Sequence, residues 1–234
     1  MTVLHSGTAS TNHYLRRLHN LAVGLGWLPW PVLASKLWPS VCSKPKRAIT
    51  WDEHGRIVST EKNQERRLYY ELLWETGASQ LDAADMQAED IDWNARTIAY
   101  RRHKTGQAAS LMIGSRLDTV LQQFPSEGPL FPKWSQAKAT DRAGEFRRRC
   151  RLLAIQGVTL HSYRYAWAQR AKDSGYPERW AQAALEHSAR AVHEAYAKGA
   201  IVACPPLEQY EADAAREKFE ARRLRPSVSA ASDT

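Results

Sequence analysis

Between Ile91 and Gly114 the chain reads IDWNARTIAYRRHKTGQAASLMIG, and this stretch sets the fold class. Short runs of β-prone residues sit on either side of an Asn94-Ala95 turn and a Lys104-Thr105-Gly106 turn, which predicts a small antiparallel meander. On both sides of it, apolar residues recur at helical spacing. Helices are predicted over 12–24, 62–76, 79–87, 115–124, 140–154, 161–174, 177–185, 189–198 and 207–224. Asn12 is the expected first cap, Gly77 is a natural stop after the second helix, and Pro132 and Pro177 punctuate the later ones. Residues 1–12 are expected to be unstructured, and SKPKRAITW (Ser43 to Trp51) reads as a basic linker. The class is mainly α with one small antiparallel β-sheet, an α+β arrangement without internal repeats. Three segments follow: a basic N-terminal stretch over 1–48, a larger unit over 49–205, and a charged helix with a polar tail over 206–234.

Bulk properties remove several function classes. With 43% hydrophobic and 25% charged residues, the 234-residue chain has the composition of a globular protein rather than a disordered one. No apolar run approaches the roughly 20 residues of a membrane span, and the start lacks the basic-then-apolar layout of a secretory leader. Cys42, Cys150 and Cys204 form neither a metal-ligand spacing nor a disulfide framework. A reducing, cytoplasmic setting without membrane contact is the simplest expectation. The formal net charge of +8 is uneven. Arg16, Arg17, Lys36, Lys44, Lys46 and Arg47 fall in the first fifty residues, which contain no Asp or Glu. A patch of one sign attracts polyanions through its field and through counterion release.

The chemistry-bearing residues lie further on. LEHSARAVHEAY (Leu185 to Tyr196) places His187, His193 and Tyr196 among alanines and small polar groups. In one continuous helix the nine-residue step from His187 to Tyr196 turns roughly 900°, at about 100° per residue, which puts the two on opposite faces. If they share a site, the helix must begin after His187. Upstream, LHSYRYAWAQRA holds His161 and Arg164 three apart, on one face of a predicted helix. HKTG puts Lys104 at a hairpin tip, from which a lysine can reach into a cleft. Tyr163 and Tyr165 read as packing groups and His193 as a helix-surface residue. RRRCR (Arg147 to Arg151) is either a solvated face or a DNA-backbone contact.

A hairpin lysine, then H-x-x-R, then a histidine followed nine residues later by a tyrosine resembles the catalytic domain of the tyrosine recombinases, the phage integrase family. The likeness covers roughly residues 48–203. WETG followed by AEDIDW is similar to the family's helix end and its run into the sheet. His187 matches the histidine of an "L-G-H" box, with Glu186 in place of the glycine. The resemblance implies that Tyr196 attacks a DNA phosphodiester, forming a 3′-phosphotyrosine and releasing a 5′-hydroxyl, so that strands are rejoined without ATP. It implies that Arg164 clamps the phosphate, Lys104 is the acid for the leaving oxygen, His161 is base or phosphate ligand, and His187 donates to a non-bridging oxygen. Double-stranded DNA and other copies of the chain on that DNA are the implied partners. Neither cofactor nor metal is expected.

Two departures stand out. The family carries an arginine two residues after "TG"; TGASQLD has Ser79 there, with Asp82 at the usual acidic place. Either another cation substitutes, with Arg101, Arg102 and Arg148 as candidates, or cleavage is impaired and the chain is a DNA-binding protein of the same fold. Residues 1–48, in turn, resemble only the last helix and exit of the family's helical core-binding domain. The helix at 207–224 is a candidate for docking on a neighbouring protomer or on the chain's own body.

Overall fold

The meander forms as its turn residues require. In the computed structural model, which describes residues 3–4, 6–41, 47–185 and 204–223, three antiparallel strands run in sequence order. The chain divides into two units, Met1–Lys46 and Arg47–Thr234.

The first unit holds strand β1 (Val3–Leu4), helix α1 (Ser6–Gly24) and strand β2 (Ser40–Val41), with β1 and β2 paired in parallel. Helix α1 therefore starts six residues before the expected Asn12. Asn12 does not cap it; the Asn12 side-chain amide donates to the Pro39 carbonyl at 3.3 Å. The run of Ser, Gly and Thr ahead of Asn12 is weakly helical by propensity, which is why an earlier start was not expected. Leu15, Leu18 and Leu21 lie on the helix as spaced but remain 53%, 59% and 54% exposed.

The second unit comprises α2 (Trp51–Thr60), α3 (Gln64–Thr76), α4 (Gln80–Ala84), β3 (Ile91–Asp92), β4 (Thr97–Arg101), β5 (Ala108–Met112), α5 (Ser115–Leu121), α6 (Ala139–Leu152), α7 (Ser162–Asp173), α8 (Glu178–Leu185) and α9 (Leu207–Arg223). Helix α2 starts at Trp51, the last residue of the expected linker, and occupies a stretch where no helix is expected. Its signal was present: Thr50 accepts from the Glu53 N–H at 3.2 Å and Glu53 from the Thr50 N–H at 3.0 Å, a capping box written T-x-x-E. The expected helix at 79–87 is cut to five residues, because the chain leaves it after Ala84 to enter the sheet.

Helix α3 is the axis of the core. Leu68, Tyr69, Tyr70, Leu72, Leu73 and Trp74 are all buried, so its surroundings are apolar on nearly every side. Tyr70 lies parallel to Tyr163 of α7 with centroids 6.2 Å apart, and Tyr69 meets Phe131 edge-on at 5.3 Å. Tyr163 is fully buried, and burial pushes its phenol well above the usual tyrosine range. It is a packing group. Along β4, Ile98 and Tyr100 point inward with a period of two. Cys204 lies beside β5, where the Met112 N–H donates to the Cys204 carbonyl at 2.7 Å.

Helix α9 then packs on its own unit. Glu208 accepts from the Ser115 hydroxyl at 2.9 Å and the Arg116 N–H at 2.7 Å, capping α5. Glu211 accepts from Arg170 at 2.8 Å and also pairs with Arg116. Intramolecular packing thus accounts for the start of this helix. No helix among the described residues is long and apolar enough to cross a membrane.

Candidate active site

Arg164 lies where the ends of α3 and α8 meet the start of α7. Helix α3 stops at Gly77, whose φ of 63° lies in the left-handed region that favours glycine. Space requires glycine there as well: a Cβ at position 77 would come within 2.9 Å of Leu185 Cδ2 and of Trp167 Cγ. The close approach of α7 and α8 leaves the Gly77 carbonyl facing Arg164. Arg164 Nη1 donates to that carbonyl at 3.1 Å, and Nη2 donates to the carbonyl of Leu185, the last residue of α8. Trp167, one turn further along α7, donates its indole N–H to the Glu75 carbonyl at 3.0 Å. These bonds hold α7 against the end of α3.

His161 stands at the cap position of α7, exposed, with its ring edge-on to Tyr165 at 5.2 Å. Lys104 is exposed at the tip between β4 and β5. The neck of that hairpin is closed by the Arg102 N–H to Gln107 carbonyl bond at 3.0 Å and the Gly106 N–H to Arg102 carbonyl bond at 2.8 Å. The tip is also tied to α4. The His103 N–H donates to Asp82 Oδ1 at 3.0 Å, and the His103 ring meets Asp85 at 2.7 Å.

The three candidate cations separate clearly. Arg101 is exposed and donates to the Gly106 carbonyl at 3.1 Å. Arg148 is exposed and paired with Glu145 at 2.9 Å. Arg102 is buried, lies 5.8 Å from the centroid of the Tyr100 ring, and donates to the carbonyl of Ala184. Arg164 and Arg102 thus reach adjacent carbonyls at one helix end, linking the H-x-x-R helix to the lysine hairpin. Ser79 supplies no cation. Its hydroxyl caps α4 by accepting the Asp82 N–H at 3.2 Å. His187, His193 and Tyr196 lie outside the described residues.

A second polar cluster went unnoticed in the sequence. Arg170, Arg116, Glu75, Glu208 and Glu211 join α7, α5, α3 and α9. Trp74 lies under Arg170 at 4.1 Å, and His54 stacks on Trp74 at 4.2 Å. Burial pushes the Glu75 carboxyl up against the pull of Arg116 and Arg170, and pushes the His54 imidazole down to about 3, helped by Arg170. Among the described residues no group of three or more His, Cys, Asp or Glu side chains is placed to hold a metal ion.

Residues 47–200 match the model of the phage integrase family. The chain belongs to the phage integrase family. No curated protein of matching sequence was found. Among solved structures, the chain is similar to the integrase from mycobacterium phage Brujita at 16% identity and a TM-score of 0.58, over 96% of this chain and 74% of that one. It is similar to the Tn1549 transposon integrase in complex with a circular intermediate DNA at 16% identity and a TM-score of 0.64, over 94% and 80%. It is also similar to a lambda integrase dimer bound to a COC′ core site at 19% identity and a TM-score of 0.62, over 76% and 70%. These likenesses concern the fold.

Proposed function

We propose that the chain is an active site-specific tyrosine recombinase, cutting and rejoining double-stranded DNA through a phosphotyrosine on Tyr196. The observation that carries this reading is Arg164, held by the carbonyls of Gly77 and Leu185 two residues before His187 in the chain. In the proposed step the Tyr196 phenolate oxygen forms a bond to the scissile phosphorus as the bond to the 5′-oxygen breaks. The phenol proton leaves through His161 or solvent, and Lys104 gives a proton to the departing 5′-oxygen. Arg164 holds two non-bridging oxygens in its planar fork, and His187 donates to one of them. The reverse reaction, by a 5′-hydroxyl of a second strand, restores the phenol.

The transposon and lambda integrases in the comparison were solved with DNA, the latter as a dimer. Their fold supports DNA as the partner here and supports assembly of several copies on it. Residues 1–48, with their basic excess, would add phosphate contacts to those made by the catalytic unit over 49–205.

The experiment is covalent trapping. A pool of nicked duplexes of randomised sequence is incubated with the protein, and denaturation-resistant adducts are recovered and sequenced. Adducts enriched for one sequence, and absent with Tyr196→Phe, are expected. A second reading, a DNA-binding protein that no longer cleaves, is favoured by Ser79 at the family's arginine position. Retention of duplex without adduct under any condition would establish that reading instead.

A further inference from the structure

We propose that His103 is a positioning residue for Lys104, its ring bond to Asp85 aiming the lysine at the departing 5′-oxygen. The inference rests on the recombinase reading above, in which Lys104 gives that oxygen its proton, and deepens it. A general acid acts only within hydrogen-bond reach of the atom it protonates, so its placement sets the rate. Lys104 has a flexible stem and an exposed seat at a hairpin tip. The bonds at the neck of the hairpin, from the Arg102 N–H to the Gln107 carbonyl and from the Gly106 N–H to the Arg102 carbonyl, close the turn. They set the shape of the tip, not its direction.

His103, the next residue in the chain, supplies a direction. Its N–H donates to Asp82 Oδ1 at 3.0 Å, and its ring Nε2 meets Asp85 Oδ2 at 2.7 Å. Asp82 and Asp85 are three residues apart at the end of α4, a spacing that puts both carboxylates on one face. One bond alone is a pivot. Two bonds from one residue to one helix face fix an orientation. A ring N–H can donate to a carboxylate from neutral imidazole and from imidazolium alike, so the hold needs no change of charge. Helix α4 also reaches the arginine side of the site. Ser79 caps it by accepting the Asp82 N–H at 3.2 Å, two residues after Gly77, whose carbonyl receives Arg164 at 3.1 Å. Proton donor and phosphate ligand are thus referred to one another through a five-residue helix. Stability is a poor account of the ring pair. The His103 and Asp85 side chains are 50% and 34% exposed, a setting in which an ion pair adds little to folding.

A merely structural tie is the competing account, and the leaving group separates the two. Nicked duplexes are prepared with the scissile 5′-oxygen intact or replaced by sulfur. With sulfur, the Tyr196 oxygen bonds to phosphorus as the P–S bond breaks, and the sulfur departs with the electron pair as a thiolate. A thiolate is a far weaker base than an alkoxide, so this departure needs no proton from Lys104. Rates of adduct formation are compared for wild type, Lys104→Ala, His103→Ala and His103→Gln. On the oxygen substrate Lys104→Ala should lose about 10²–10⁴-fold and His103→Ala about 10–10²-fold. His103→Gln, which carries an N–H donor at similar reach, should recover most of that loss. On the sulfur substrate all four rates should agree within about threefold. If His103→Ala loses equally on both substrates, or on neither, the proposal is overturned and the recombinase reading stands. A Lys104→Ala deficit that sulfur does not relieve overturns it too, since Lys104 is then not the acid. Absence of any adduct from wild type on either substrate would sink that reading and this one together. Should His103→Ala fail to fold, Asp85→Ala removes the same bond from the α4 side. It is expected to show the same oxygen-only loss, and a wild-type rate on both substrates would again overturn the proposal.

Discussion

Helix α7 carries two arginines six residues apart that have opposite fates. Arg170 is buried at one end, over the Trp74 ring and paired with Glu211, with Glu75 close by. Arg164, near the other end, is half-buried and donates to the Gly77 and Leu185 carbonyls. A carboxylate partner cancels charge and makes a guanidinium part of the scaffold. A carbonyl partner fixes the direction of a guanidinium. The same residue type in the same helix is therefore tied to a carboxylate at one end and to main-chain carbonyls at the other.

Substitution at the two positions tests the contrast most severely. Arg164→Ala is expected to slow adduct formation by about 10³–10⁵-fold, the scale of an arginine that stabilises a phosphoryl transition state. Its loss of stability, from two carbonyls left without that donor, should be about 1–3 kcal/mol. Arg170→Met should do the reverse. It leaves Glu75 and Glu211 buried with less compensation, at a cost of about 3–5 kcal/mol in stability. Adduct yield per folded molecule should hold. If Arg170→Met abolished adducts in folded protein, or Arg164→Ala merely unfolded the chain, the division between the two ends of α7 would be wrong.

Gly77 ties the two ends together and should show a smaller effect. Gly77→Ala places a Cβ against Trp167 and Leu185 at a φ of 63°. Left-handed strain of about 1–2 kcal/mol adds to overpacking of about 1–3 kcal/mol. Because the Gly77 carbonyl also orients Arg164, stability and adduct rate should fall together. A loss of stability alone, read from denaturant curves beside trapping rates, would show that the carbonyl bond to Arg164 does not matter for cleavage.

How much of this was legible in the sequence depended on the range of each signal. The sheet and Gly77 as a helix stop are local patterns, and the structure contains both; the H-x-x-R spacing is local too, with His161 at the cap of α7 and Arg164 inside it. Helix α2 was equally local, yet its Thr50–Glu53 capping box was hidden by the basic residues before it, which read as linker. Arg102 was one of three candidates that sequence alone left equal. Only the fold distinguishes a buried side chain at the end of α8 from Arg101 and Arg148 at the surface. The Arg170 cluster was illegible, because its members are scattered from Glu75 to Glu211 and no spacing rule joins them. Non-local ion pairs leave no periodic trace.

The weakest expected effect probes the carboxylate-rich end through pH. His54 of α2 stacks on Trp74 of α3, meets Tyr163 of α7 edge-on and feels the charge of Arg170 of α7; Glu71 and Glu75 of α3 and Arg116 of α5 line the same pocket. Burial first, and Arg170 second, lower its pKa to about 3. In the unfolded chain the same imidazole titrates near its ordinary value of about 6.5. Between these two values the unfolded state binds a proton that the folded state refuses. Stability is thus fully present above about pH 6.5 and declines as pH falls, with a limiting slope of about 1.4 kcal/mol per pH unit from this group. His54→Phe keeps an aromatic ring on Trp74 and removes the titration. Its stability should therefore vary less steeply than wild type between about pH 4 and 6, measured by denaturant unfolding at fixed salt. Parallel profiles for the two proteins would mean that His54 accepts its proton in the folded state, which the guanidinium of Arg170 beside it makes unfavourable.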